Sequence, residues 1–192
     1  MILVDIDGTL LPHADNKFRH LYHCECGYGF MATSLDKGLP VFCSSCGGST
    51  FKRNELSLAE CRSIVKEVLS RNIPPYPGAA ECLRRLAQKH SIIYITGRDK
   101  IFFQETESWL FSNGFPCLPP HKLIMRESDN DEVPCLLKTS FIESLDRKDG
   151  LLAIIDDDLS LIAVAKRERA QFIWAPTCWE KNTYYGNLLE HL

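Results

Sequence analysis

The sequence predicts an α/β fold: a mostly parallel, Rossmann-like sheet flanked by helices, with a small insert after the first strand. Three observations carry that prediction. From residue 77 onward, short apolar runs alternate with helical patterns, as parallel βαβ units require. The runs at 2–6 and 151–155 both lead into aspartates, at the strand ends where open α/β sheets bind ligands. Residues 18–52 break the alternation with paired cysteines, many Gly and Ser, and little helical period.

Taken in order, residues 2–6 read as a buried parallel strand that stops at Gly8. Residues 57–71 read as a helix. Ser57 and Glu60 form a capping box, and Leu58, Cys61, Ile64, Val65 and Leu69 make an apolar stripe. Ile73-Pro-Pro-Tyr-Pro-Gly78 is a rigid connector. Helix is expected at 79–89, strand at 91–96, helix at 101–113 and strand at 122–125. Helix at 134–146, strand at 151–155, helix at 159–168 and strand at 171–174 complete the pattern. The expected core is therefore 1–12 with 77–192, and the insert is 13–76.

Composition narrows the function classes. A chain of 192 residues, 45% hydrophobic and 24% charged, suits one soluble domain carrying a small insert. It is long enough to bury a core without disulfides. A net charge of −3 argues against reliance on non-specific nucleic-acid binding, while leaving room for a local basic groove. No secretory leader pattern and no apolar run of membrane-span length is visible, so a cytoplasmic protein with no membrane partner is expected. In a reducing compartment, nine cysteines suggest metal before disulfide.

Asp5-Ile-Asp7-Gly8-Thr9 carries the most information. Residues two apart on a strand face the same way, so Asp5 and Asp7 can reach one pocket at its end. Two carboxylates held close repel, which suits a shared cation or proton transfer, and an all-oxygen site suits Mg²⁺. The plain alternative is a solvated turn, where Asp-Gly is common. Asp156 and Asp157, after the apolar Ile154-Ile155, are candidates to complete the cation site. Asp158 suits a helix N-terminus.

These residues, taken in order with Ile95-Thr96-Gly97-Arg98 and Lys138, resemble the four motifs of the haloacid dehalogenase-like (HAD) phosphatases. The resemblance covers about 1–12 and 77–175 and implies roles. Asp5 would be the nucleophile, forming an aspartyl-phosphate. Asp7 would be general acid and base. Thr96 would hold a phosphate oxygen, and Lys138 would neutralise phosphate charge and restrain Asp5. Asp157, with Asp156, would hold Mg²⁺ together with Asp5 and the Asp7 carbonyl. Thr96 as a turn cap and Lys138 as a solvated helix lysine are the bland alternatives. Thr96-Gly97-Arg98, Trp109-Leu, Leu123-Ile-Met-Arg126, Lys138 and Ile155-Asp-Asp157 are further similar to the 3′-phosphatase domain of polynucleotide kinases. That likeness implies substrate contacts by Gly97, Arg98 and Arg126. The sequence departs from that group at Pro134, where an acidic residue is expected, and it has no kinase P-loop pattern.

Cys24-Glu-Cys26-Gly27 and Cys43-Ser-Ser-Cys46-Gly47 form two turn-like knuckles that resemble a zinc ribbon over about 18–52. Four thiolates from such turns can surround a structural Zn²⁺. His23 competes with Cys24, because its spacing to Cys26 is the more usual one. The insert falls where HAD-like phosphatases often carry a cap, and structural stiffening is its default role.

The leading expectation is a Mg²⁺-dependent phosphohydrolase acting on a phosphorylated small molecule, a nucleotide, or a nucleic-acid end bearing a 3′-phosphate. A phosphotransferase or mutase with the same chemistry is one competitor. A non-catalytic binding module, with the ribbon as its contact surface, is the other.

Overall fold

Ile2, Leu3 and Val4 are wholly buried, as an apolar run without alternation must be when both faces of its strand are covered. They form the central strand of a sheet in a computed structural model that describes residues 1–12, 20–24, 29–32, 51–54, 58–128, 134–145, 150–175 and 177–192. The strands are β1 (Ile2–Val4), β2 (His20–Cys24), β3 (Gly29–Ala32), β4 (Phe51–Asn54), β5 (Ile92–Asp99), β6 (Lys122–Arg126), β7 (Ala153–Asp156) and β8 (Gln171–Trp174). The helices are α1 (Leu58–Ser70), α2 (Ala79–Leu86), α3 (Phe103–Ser112), α4 (Pro134–Ser144), α5 (Ile162–Arg167) and α6 (Tyr184–Leu189). Two compact units result: residues 1–12 with 65–192, and residues 13–64.

The first unit is built on a five-stranded, all-parallel sheet of order β6-β5-β1-β7-β8 flanked by helices, a Rossmann-like α/β fold. Leu3, Ile93, Ile95 and Ile154 pack with Ile142 of α4 and with Val164 and Ala165 of α5, so α4 and α5 cover one face. Alternation turns Tyr94 to the other face, edge-on to Phe115, which stacks on Trp109 of α3. In α2 the buried residues are Ala79, Leu83 and Leu86, a helical stripe beginning just after Gly78. Val65 and Val68, in the second half of α1, are buried in this unit as well, whereas the sequence analysis places all of that helix in the insert.

Every expected strand of this unit is present, with shifted ends. β1 stops at Val4, so Asp5 and Asp7 lie beyond it. β5 runs on to Asp99 through an irregular register between Thr96 and Asp99. The helix expected at 159–168 begins as a 3₁₀ turn, Leu159–Leu161, and is shorter. α6 was not expected. Its six residues include Gly186 and Asn187, both poor helix formers, and no apolar stripe of useful length. The Thr183 hydroxyl accepts from Gly186 N–H at 3.0 Å and caps it. Gly186 is required, because a Cβ there would collide with the Glu180 carbonyl.

In the second unit, β2 pairs antiparallel with β3 and with β4, giving the order β3-β2-β4. Cys24 is the last residue of β2 and lies opposite Phe51, the first of β4. The other proposed zinc ligands, Cys26, Cys43 and Cys46, lie outside the described residues. Among the described residues, no helix is long and apolar enough to cross a membrane.

Candidate functional site

Parallel pairing assembles the acidic cluster. Val4 lies opposite Ile155, and the Asp5 N–H donates to the Ile155 carbonyl at 3.0 Å, so Asp5 emerges beside Asp156 and Asp157. Carboxylate oxygens of these three residues all lie within 4.8 Å of one another. Lys138, from the second turn of α4, reaches between them. Its Nζ is 2.9 Å from Asp5 Oδ1 and 2.8 Å from Asp156 Oδ2, with all three side chains at 6% exposure or less. The second Asp156 oxygen accepts from Asp158 N–H at 2.9 Å. Asp158 itself caps the following turn by accepting from Ser160 N–H at 2.9 Å.

Burial pushes the Asp5 carboxyl well above the usual carboxylate range. The Lys138 ammonium pulls it down, and Asp156, Asp157 and Asp7 push it up again. Burial likewise raises Asp156, against Lys138. For Lys138, burial favours the neutral amine, but the two carboxylates outweigh it and hold the ammonium charged. Three carboxylates thus face one ammonium in a buried place. The donor set is all oxygen, and a divalent cation fits both its charge and its chemistry. Burial, then the Asp157 carboxylate, raises the nearby Tyr76 phenol.

Asp7 goes elsewhere. The Gly8 turn (φ 85°) aims it at β5, where Arg98 grips it with two bonds, Nε to Oδ2 at 2.8 Å and Nη2 to Oδ1 at 2.7 Å. The Arg98 Nη1 donates to Thr106 of α3 at 3.2 Å. Thr96 Oγ1 donates to Asp7 Oδ2 at 3.3 Å and accepts from Arg98 N–H at 3.2 Å. Arg98 is buried, and Asp7 keeps a side-chain exposure of 19%. Gly97 is half-buried between them in sequence, and Arg126 is buried at the end of β6, opposite Asp99. The structure therefore brings Asp5, Lys138, Asp156 and Asp157 into one cluster, and Asp7, Thr96 and Arg98 into an adjoining one.

Sequence reasoning missed Thr106, Tyr76 and Trp179. Thr106 had a signal, since it is the polar member of a buried helical stripe with Trp109 and Leu110. Tyr76 sat in the connector, and nothing in the sequence links it to Asp157. The Trp179 indole Nε1 donates to the Thr9 carbonyl at 2.8 Å, a contact between distant positions that leaves no local pattern.

An all-parallel sheet with acidic residues at the C-terminal end of its central strands defines a Rossmann-like α/β protein with a candidate cation site. No family model matches the chain. Over 119 residues it is 33% identical to a Bacillus cereus protein named "Putative nucleotidase", covering 58% of this chain and 58% of that one. Over 71 residues it is 35% identical to "Putative nucleotidase OB0422" of Oceanobacillus iheyensis, covering 36% of this chain and 38% of that one. The chain thus matches less than two thirds of the length of either relative. It is also similar in fold to a chain in a solved structure titled "Structure of Pnkp1/Rnl/Hen1 complex", with a TM-score of 0.53 and 13% identity. That likeness covers 90% of this chain and 44% of the other.

Proposed function

We propose that this chain is a Mg²⁺-dependent phosphohydrolase of the HAD type, a phosphomonoesterase that attacks phosphorus with the Asp5 carboxylate. The observation that carries this reading is the buried Lys138 held between Asp5 and Asp156, with Asp157 alongside. The two relatives named as nucleotidases support a nucleotide as the substrate class, and the motif likeness extends the proposal to a nucleic-acid end bearing a 3′-phosphate. Asp5, Asp156 and Asp157 would hold Mg²⁺ with the Asp7 carbonyl. The ion would offset repulsion between an anionic nucleophile and an anionic substrate.

The chain's own groups divide the work. Asp5 forms the new bond to phosphorus as the ester oxygen leaves, and Asp7 gives that oxygen its proton. Lys138 keeps Asp5 ionised and aimed. Asp7 then takes a proton from the water that opens the aspartyl-phosphate, which returns Asp5 and releases phosphate. Thr96, Gly97 and Arg98 line the place for the transferred group, and Arg126 flanks it. Arg98 and Thr96 donate to Asp7 in this structure, so a phosphate arriving there would compete with Asp7 for both.

Turnover of p-nitrophenyl phosphate with and without Mg²⁺ tests the chemistry. A panel of mononucleotides, a 3′-phosphorylated oligonucleotide and a hexose phosphate, compared by kcat/KM at fixed salt, tests the substrate class. No turnover of any ester would overturn the first claim, and preference for the hexose phosphate would overturn the second.

We also propose a structural Zn²⁺ on Cys24, Cys26, Cys43 and Cys46, with His23 as the alternative to Cys24. The antiparallel register supports it: Cys24 ends β2 opposite Phe51, and Cys46 stands just upstream of Phe51 in sequence. Burial raises the thiol pKa of the described free cysteines, Cys82, Cys117 (to about 11) and Cys178, so these react slowly with alkylating agents at neutral pH. A metal chelator should therefore release one equivalent of zinc and expose a new set of fast-reacting thiols. Protein purified without chelator that contains no zinc would refute the site.

A further inference from the structure

We infer that the C-terminal turn Thr177–Trp179 is part of the machinery that aims the acidic loop, with Trp179 as a positioning residue. This rests on the phosphohydrolase reading of Asp5 and Asp7 above.

The loop after Asp7 is tightly wound. Thr9, Leu10 and Leu11 N–H all donate to the Ile6 carbonyl, at 3.3, 2.9 and 2.9 Å, and Gly8 N–H donates to the Leu11 carbonyl at 2.8 Å. Winding of this kind turns the Thr9 and Leu10 carbonyls outward. Both are buried, and a buried carbonyl must find a donor. Leu10 finds it in Tyr76 N–H at 2.9 Å. Thr9 finds it in the Trp179 indole at 2.8 Å. The loop that carries Asp7 is thus held from outside at two successive carbonyls, by the connector and by the C-terminal turn.

The turn that supplies the indole is itself fixed. Gly78, in the left-handed region at φ 84°, packs against the Trp179 carbonyl so closely that a Cβ would come within 3.0 Å of it. Cys178 is wholly buried, Thr183 and Gly186 dock α6 beside Glu180, and the Leu192 carbonyl meets His90 Nε2 at 2.7 Å. An indole on so firm a base can set the position of Thr9, and with it the Gly8 turn that aims Asp7. Trp179 touches no reacting atom, so its effect must pass through loop geometry.

Two replacements separate geometry from bulk: Trp179→Phe, and Trp179 replaced by 3-benzothienylalanine, which keeps the bicyclic shape but lacks the N–H donor. Both should lower kcat for p-nitrophenyl phosphate by at least about tenfold while KM stays within about twofold, because loop misplacement acts on the transition state. In the benzothienyl variant the melting temperature should fall by only a few degrees, from the unmet Thr9 carbonyl, and the amides of Gly8, Leu10 and Leu11 should exchange about tenfold faster, with those of Ile93–Ile95 much less affected. A benzothienyl variant with wild-type kcat and unaltered exchange at Gly8 to Leu11 overturns the inference. So does a kcat loss in Trp179→Phe that the benzothienyl variant restores, since that would assign the effect to packing. If wild-type protein hydrolyses no phosphomonoester, the reading of the site fails, and the exchange comparison still decides whether Trp179 sets the loop.

Discussion

Asp5 and Asp7 stand two positions apart and meet opposite electrostatic situations. Around Asp5, among the described residues, Asp5 and Asp156 share the Lys138 ammonium and Asp157 stands close by, so carboxylates outnumber cations there. Around Asp7, one guanidinium grips one carboxylate through two bonds, and the charges cancel. The first arrangement calls for a cation from outside. The second is complete by itself, and a ligand must compete for its donors. For Asp7 to carry a proton as proposed, it must first give up the Arg98 grip, whereas the proposed metal-holding role of Asp5 needs no such rearrangement.

The largest effects should come from breaking the first arrangement. Asp5→Asn should lower kcat by more than about four orders of magnitude, since an amide is not a nucleophile. Without divalent cation the same variant should melt no lower than wild type, because it removes an uncompensated buried charge and leaves Lys138 paired with Asp156. Lys138→Met removes the ammonium that Asp5 and Asp156 share and should cost about 3–5 kcal/mol of stability in the absence of Mg²⁺. Thermal melts beside turnover assays check both. A destabilised Asp5→Asn would erase the proposed charge imbalance.

Arg98→Lys should break the second arrangement more gently. A lysine cannot grip Asp7 with two parallel bonds or reach Thr106 at the same time, so kcat should fall by about a hundredfold. The bell-shaped pH–rate profile should shift on the limb that reports the general acid. If the profile is unaltered, Arg98 does not set the state of Asp7.

Proton linkage gives a smaller but sharper contrast. Folded-state values of Asp5 and Asp156 are raised above those of the unfolded chain. Their contribution to stability is therefore full below the ordinary carboxylate range and is lost as pH rises through the raised values. Mg²⁺ should act in the opposite sense, stabilising most where the carboxylates are ionised. Saturating Mg²⁺ should contribute about 2–3 kcal/mol near pH 8 and far less near pH 5, measured as shifts in melting temperature. Equal shifts at the two pH values would place the ion elsewhere. Smallest of all, Asp158→Ala should cost about 1 kcal/mol through the lost Ser160 cap and leave turnover unaltered.

The central architecture was legible because fully buried parallel strands are continuous apolar runs, and β1, the first half of β5 and the start of β7 read that way, while the edge strand β8 is only partly buried. The first cluster was legible for the same reason. Once β1 and β7 are neighbours in parallel register, the aspartates that follow them must meet. Lys138 stood out through its place just inside a helix. The partner of Arg98 was not legible. It depends on the irregular stretch of β5 between Thr96 and Asp99, and a break in register has no signature in residue type alone. α6 and Trp179 were hidden for a related cause. A six-residue helix with a glycine shows no period, and a contact spanning most of the chain leaves no local trace.

The place of β1 in the sheet has a consequence for the protein during its synthesis. Among the five strands of the parallel sheet, the one earliest in the chain must sit in the middle, where Ile2 pairs with Ile92 on one side and Ala153 on the other. Until those partners are synthesised its ladder cannot form, and its apolar residues stay available to chaperones. Half of its ladder can form once β5 has emerged, and the rest must wait for β7. Asp5 and Asp156 cannot share Lys138 before then, and Thr9 meets its indole only once Trp179 is free of the exit tunnel. Nascent chains halted before residue 153 should accordingly stay accessible to protease around β1, while chains that include β7 and β8 become resistant there.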